Sequence, residues 1–198
     1  MNAPMSTPRI CHAERMPGTV AQDAHVPVLI VGGGACGLTA ALMLHDAGVD
    51  CAVLERDATP LGSSALSSGF IPAPGTQAQR AAGIDDSPER FAADISAKAK
   101  GRAAPHLVQA YAQAIGPALD ALQARHGLQW QVLDGFLYPG HSVRRMHATP
   151  EKTGVGLMGR LANAVTAVDI PLITEATARE LWAVSYTHLR AHETREDL

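Results

Sequence analysis

Residues 28–37 constrain this chain more than any other stretch. Gly32, Gly34 and Gly37 stand at G-x-G-x-x-G spacing, directly after a short apolar run. A helical pattern follows, with Leu38, Ala41 and Leu42 on one stripe, Leu44 and Ala47 beside it, and His45 as its one polar member. A second apolar run ends in an acid, Glu55, about 20 residues beyond Gly34, as expected of a ribose-binding carboxylate. The chemistry explains the spacing. Gly32 permits a tight turn out of the strand, Gly34 lets the backbone approach a pyrophosphate, and Gly37 lets helix and strand pack closely. The free amides at the positive end of the helix suit a diphosphate, and Glu55 suits ribose hydroxyls. A βαβ dinucleotide-binding unit is therefore predicted over residues 26–55, against the plainer alternative of an ordinary Gly-rich turn.

Bulk properties narrow the rest. With 198 residues the chain can form one domain with a real core, or one domain and part of another. A formal net charge of −3 gives no reason to expect nucleic acid or an anionic membrane as partner. Cys11, Cys36 and Cys51 form no C-x-x-C pair, and no metal-ligand spacing is present, so Cys36 and Cys51 are expected as small structural residues. No apolar run approaches the roughly 20 residues of a membrane span. Residues 1–24 have neither a signal-like apolar core nor a twin arginine, and are expected as an unstructured tail; a cytoplasmic location is the simplest expectation.

Beyond Glu55, residues 62–69 form a Gly/Ser-rich stretch that is either a flexible connector or a cradle for a phosphate or cofactor edge. Its position after an acid-terminated strand favours the second reading. Ser87, Pro88 and Glu89 signal a helix start, predicted to run to about residue 100. A longer helix is predicted over 104–126, with Leu107, Val108, Tyr111, Ile115, Leu119 and Leu122 as its core stripe, Gly127 as its stop and Pro117 as a kink or break. Residues 129–133 alternate like a strand, with 135–140 as the far arm of a hairpin. A helix over 154–168 and a strand over 171–174 follow. That order suggests an α/β nucleotide domain interrupted by an inserted segment.

From residue 28 to about 182 the chain resembles the flavoprotein subunit family of fumarate reductase and succinate dehydrogenase, which also includes L-aspartate oxidase and 3-ketosteroid 1-dehydrogenase. The resemblance rests on the 32–37 glycine loop, Glu55 with Arg56, and the 62–69 serine loop. Softer matches are residues 86–91, the stretch from Gly140 to His147, and Thr153 with Gly154. The resemblance implies a Rossmann-like, glutathione-reductase-type FAD-binding domain over 25–183, with the start of an inserted α+β substrate-capping domain. By position, Gly32, Gly34 and Gly37 would hold the FAD diphosphate and Glu55, beside Arg56, the adenosine ribose. Ser64, Ser68 and Gly69 would lie along the diphosphate and flavin, and Ala178 would meet adenine.

There are departures. Ser63 replaces the usual second glycine of the family's Gly-Gly pair, and the serine loop has no histidine where succinate dehydrogenases attach flavin covalently. The resemblance thus implies non-covalent FAD. The implied activity is hydride transfer between flavin and an activated carbon–carbon bond of a small-molecule substrate. The electron donor or acceptor is not assigned. The alternatives are another FAD enzyme, such as a monooxygenase or amine oxidase, and a non-catalytic nucleotide-binding module. The family's proton-donating arginine and carboxylate-clamping residues are expected to lie beyond this fragment, so no catalytic residue is assigned. Arg144 and Arg145 are expected as solvated charge, and His147 as solvated more readily than as a substrate ligand. From about residue 184 the composition changes, and residues 185–198 resemble translated sequencing-library sequence found at the broken ends of unrelated proteins. They are expected to be a non-native tail on an N-terminal fragment, against the alternative of a charged terminal helix.

Overall fold

The computed structural model describes residues 9–13 and 26–184. Within the segment expected as an unstructured tail, β1 (Arg9–Ala13) forms a strand; the rest of residues 1–24, and 185–198, lie outside the described residues. The βαβ unit follows: β2 (Val28–Val31), α1 (Ala35–Asp46) and β3 (Cys51–Leu54), the strands parallel with Val28 opposite Cys51 and Val31 opposite Leu54. The predicted stripe is the buried face of α1, for Leu38, Ala41 and Leu42 are fully enclosed. Gly48 ends the helix in the left-handed region at φ 71°. Its amide bonds the His45 carbonyl, and the Val49 amide bonds that of Leu44, which satisfies carbonyls the helix leaves open.

The serine loop is partly helical. Residues Gly62–Leu66 form a single turn, α2, rather than the open loop expected. Beyond it come β4 (Ile71–Pro72), α3 (Gln77–Ala81), α4 (Pro88–Lys98) and α5 (Pro105–His126). The start of α4 is as predicted, with Ser87 Oγ accepting the Arg90 amide at 3.2 Å. In α5 the buried stripe differs from the prediction. Val108, Ala112, Gly116, Leu119 and Leu122 face inward, while Leu107 and Tyr111 are 62% and 40% exposed. Close approach is the reason: a Cβ on Gly116 would lie 2.2 Å from the Pro74 carbonyl oxygen, so small residues line the contact. The helix also continues through Pro117. Pro117 and Gln113, whose carbonyl loses its helical donor, are both exposed to water.

The remaining elements are β5 (Gln131–Val132), β6 (Met146–Ala148), α6 (Gly154–Ala167), β7 (Leu172–Ile173) and β8 (Glu180–Val184). The expected hairpin partner is corrected. β5 pairs antiparallel with β6, Val132 opposite His147, and β6 pairs on its other side with β4. Residues 135–140 stay outside that sheet, with Phe136, Leu137 and Tyr138 exposed and the Tyr138 ring tilted against that of His141. Pro139 lacks a ladder donor, which disfavours a strand there. β7 extends the parallel sheet in the order β2-β3-β7, and β8 pairs parallel with β1. The main core joins Leu38, Leu42 and Val53 to Leu157, Leu161 and Val165 of α6. Among the described residues no helix is long and apolar enough to cross a membrane.

Candidate cofactor site

The site begins where β2 turns into α1. Gly32 takes φ 110°, a conformation that strains side-chain-bearing residues, and its amide bonds the Leu54 carbonyl at 2.8 Å. A Cβ on Gly37 would lie 1.9 Å from the Gly32 carbonyl oxygen, so turn and helix touch backbone to backbone. Gly34 is the N-cap of α1 and brings no side chain to cap it. A Cβ there would meet only Ser64 Oγ, at 3.6 Å. The glycines therefore leave an open cradle before the helix amides, a place that a side chain would fill and a diphosphate fits.

Two side chains close on this cradle from other elements. Glu55, just past β3, accepts the Gly33 amide through Oε2 at 2.7 Å and the Asp57 amide through Oε1 at 2.9 Å. Its backbone is held in turn by β7 and the loop beyond: the Glu55 amide bonds Ile173 O at 2.8 Å, and the Ala176 amide bonds Glu55 O at 2.9 Å. Ser64 of α2 accepts the Ala35 amide at 3.2 Å. Gly32, Gly34, Gly37, Glu55 and Ser64 are thus brought together. Arg56 points to the exposed Asp57 carboxylate, at 3.3 Å. Ser68 is exposed beyond the end of α2, and Gly69 is buried beside Thr153. Ala178 lies half-buried in the loop that follows the Ala176–Glu55 bond.

A second polar cluster lies under the antiparallel sheet, and it corrects two expectations. Arg145 is fully buried, not solvated. Its Nε and Nη2 each donate to Asp86 at 2.9 Å, Nη1 donates to Asp94, and the guanidinium sits 4.7 Å from the Phe91 ring centroid. Burial works to raise the Asp94 carboxyl, but the Ser142 amide and hydroxyl and Arg145 outweigh it and hold its pKa low. Gln79 donates to Asp86 at 3.0 Å and to the Arg144 carbonyl at 2.9 Å. Arg144 itself is exposed, as expected. His147 is fully buried rather than solvated. Its Nδ1 donates to the Arg145 carbonyl at 2.9 Å, which leaves Nε2 to accept the Thr76 hydroxyl at 2.7 Å. Burial pushes its pKa down, consistent with that neutral form. Sequence reasoning missed this cluster because nothing local marks partners this far apart in the chain.

The comparisons with known proteins agree with this geometry. Residues 27–187 match the family model described as FAD binding domain. The chain is 32% identical over 136 residues to a urocanate reductase of Eggerthella lenta, covering 69% of this chain and 22% of that protein. It is 32% identical over 158 residues to the acrylate reductase flavoprotein subunit of Shewanella woodyi, covering 77% and 30%. The chain therefore spans less than a third of the length of these relatives. A solved flavocytochrome c3 fumarate reductase in its open conformation superposes with a TM-score of 0.67 at 25% identity, over 76% of this chain and 26% of that one. A 3-ketosteroid-Δ4-(5α)-dehydrogenase from Rhodococcus jostii gives 0.67 at 25% identity, over 80% and 39%. The match spans most of the chain, and the chain belongs to the FAD binding domain family, with flavoprotein reductases and dehydrogenases among the proteins it resembles.

Proposed function

We propose that this chain is the cofactor-binding part of an FAD-dependent oxidoreductase of the fumarate reductase type. Its domain reads as a Rossmann-like, glutathione-reductase-type unit over residues 25–183, entered by the first elements of a capping domain. The observation that carries the proposal is the convergence of three elements on the α1 N-terminus: the open Gly34 position, the Glu55 carboxylate and the Ser64 hydroxyl. Gly32, Gly34 and Gly37 would seat the diphosphate against the helix amides, and Glu55 would accept ribose hydroxyls through its remaining lone pairs while keeping the Gly33 amide. Arg56 lies beside that ribose acid; Ser64, Ser68 and Gly69 would run along the diphosphate and flavin, and Ala178 would meet adenine. When bound, the flavin supplies hydride transfer to or from a carbon–carbon bond activated by a neighbouring carbonyl or carboxylate. The protein's part is to bind and orient. The substrate class is a small molecule, as the names of the urocanate and acrylate reductases suggest. Attachment is non-covalent, since the 62–69 loop offers no histidine. A cytoplasmic location accords with the free thiols of Cys36 and Cys51.

The test is titration of the purified chain with FAD, followed by flavin fluorescence, then acid precipitation of the complex. Saturable binding with the flavin released to the supernatant is the expected result. No binding at tens of micromolar FAD would reject the cofactor reading, and flavin pelleting with the protein would reject non-covalent attachment.

A further inference from the structure

The single-turn helix α2 carries Ser64, yet a helix of five residues has no stability of its own. Its support comes from α6, far away in sequence. The carbonyl oxygens of Ser64, Ala65 and Ser67 converge on Gly154, the first residue of α6. A Cβ at Gly154 would lie 2.2, 2.8 and 2.5 Å from them, so only a bare backbone fits. The Gly154 amide donates to Ser67 O at 2.9 Å. The other end of the loop rests on the same dipeptide. Gly69, at φ 67°, would bring a Cβ to 2.6 Å from the Thr153 carbonyl oxygen. Thr153 in turn fixes the start of α6, its Oγ1 accepting the Gly156 amide at 3.0 Å. The carbonyls of α2 thus lie on the positive end of α6, while its Ser64 hydroxyl meets the first turn of α1. The loop bridges two helix N-termini.

From this geometry we propose that Thr153 and Gly154 are positioning residues for the cofactor loop, holding Ser64 at the α1 N-terminus without touching the cofactor themselves. The inference rests on the FAD reading above, but its first measurement does not. Amide hydrogen exchange is followed on the full chain without FAD, comparing wild type with Gly154→Ala and with Val155→Ala, a change at an exposed neighbour. In Gly154→Ala the amides of Ala65, Ser67 and Gly69 are expected to exchange about tenfold faster, with α4 and α5 unchanged. FAD titration of the same variant, run below its own thermal midpoint, which the forced displacement of backbone is expected to lower, should give a Kd raised about tenfold or more. Should Gly154→Ala fail to fold, Thr153→Val decides: it removes the Gly156 acceptor and adds nothing against α2, and is expected to speed the same amides about threefold. Unchanged exchange in the folded variant would overturn the proposal, as would acceleration shared equally with α4 and α5. A wild-type chain that binds no FAD, with the selective exchange change present, would sink the cofactor reading and uphold the anchor.

Discussion

The Glu55 carboxylate accepts the Gly33 amide at 2.7 Å, tying the acid that ends one strand to the turn that ends its neighbour. The bond spans the parallel β2–β3 pair, whose register sets Val31 opposite Leu54. It means that the acid is oriented over the glycine loop before any ligand arrives. Preorganisation of this kind lowers the ordering cost of binding.

Replacing Glu55 by alanine is expected to weaken FAD binding by about 1.5–3 kcal/mol for each charged hydrogen bond lost. Fluorescence titration measures it. Unchanged affinity would contradict the assignment of Glu55 to the ribose.

Gly34 and Gly37 should separate binding from folding. A Cβ on Gly34 makes one ordinary contact, at 3.6 Å, whereas one on Gly37 would sit 1.9 Å from a backbone oxygen. Gly34→Ala is therefore expected to stay within about 1 kcal/mol of wild-type stability while losing FAD. Gly37→Ala is expected to cost about 1–3 kcal/mol or more through forced backbone displacement. Urea midpoints of the two variants, set beside FAD retention on gel filtration, provide the check; equal stabilities would count against the close contact.

The Arg145–Asp86 pair is enclosed on both sides, with neither side chain exposed. Arg145→Leu would leave Asp86 as an unpaired buried charge and is expected to cost about 3–5 kcal/mol. Changing Asp86 together with Arg145 to apolar residues is expected to cost less than the two single changes summed. A double-mutant cycle by urea denaturation measures both quantities, and strict additivity would refute the pairing.

Stability toward acid should depend on Glu151. Its carboxylate receives Arg160 Nη2 at 2.7 Å, and this bond, with its own backbone amide, lowers its pKa to about 2. A depressed folded pKa contributes stability that is present above the ordinary value of 4.5 and lost as pH falls toward 2. Glu151→Gln is expected to flatten that part of the stability curve and to leave the neutral region nearly parallel to wild type. Thermal midpoints between pH 2 and 5 test this; an unaltered acid slope would mean that the pair contributes nothing.

Much of the candidate site and of the fold around it was legible in the chain because its chemistry is local. Gly32 and Gly48 stand where the backbone needs positive φ, Ser87 and Pro88 where a helix needs a cap and a first residue without an amide, and Leu38, Ala41 and Leu42 where α1 meets the core. The Glu55 spacing could be read for the same reason: strand, helix and strand have lengths that place the acid beside the loop.

Other features had no local mark. Leu107 looked like a better core residue than Ala112 or Gly116, yet the Pro74 carbonyl approaches α5 too closely for anything larger than a glycine at Gly116. His147 and Arg145 read as solvated polar residues, yet His147 lies buried on the central strand β6 and Arg145 is enclosed among Asp86, Asp94 and Phe91. The periodicity and turn chemistry of the sequence alone determined the dinucleotide-binding unit, since those follow from the residues' own conformational preferences. Only the tertiary structure decided which small residues are contacts, which charges are paired, and that α6 holds α2 in place. Those depend on which distant backbone arrives within van der Waals reach, and no run of neighbouring residues encodes that.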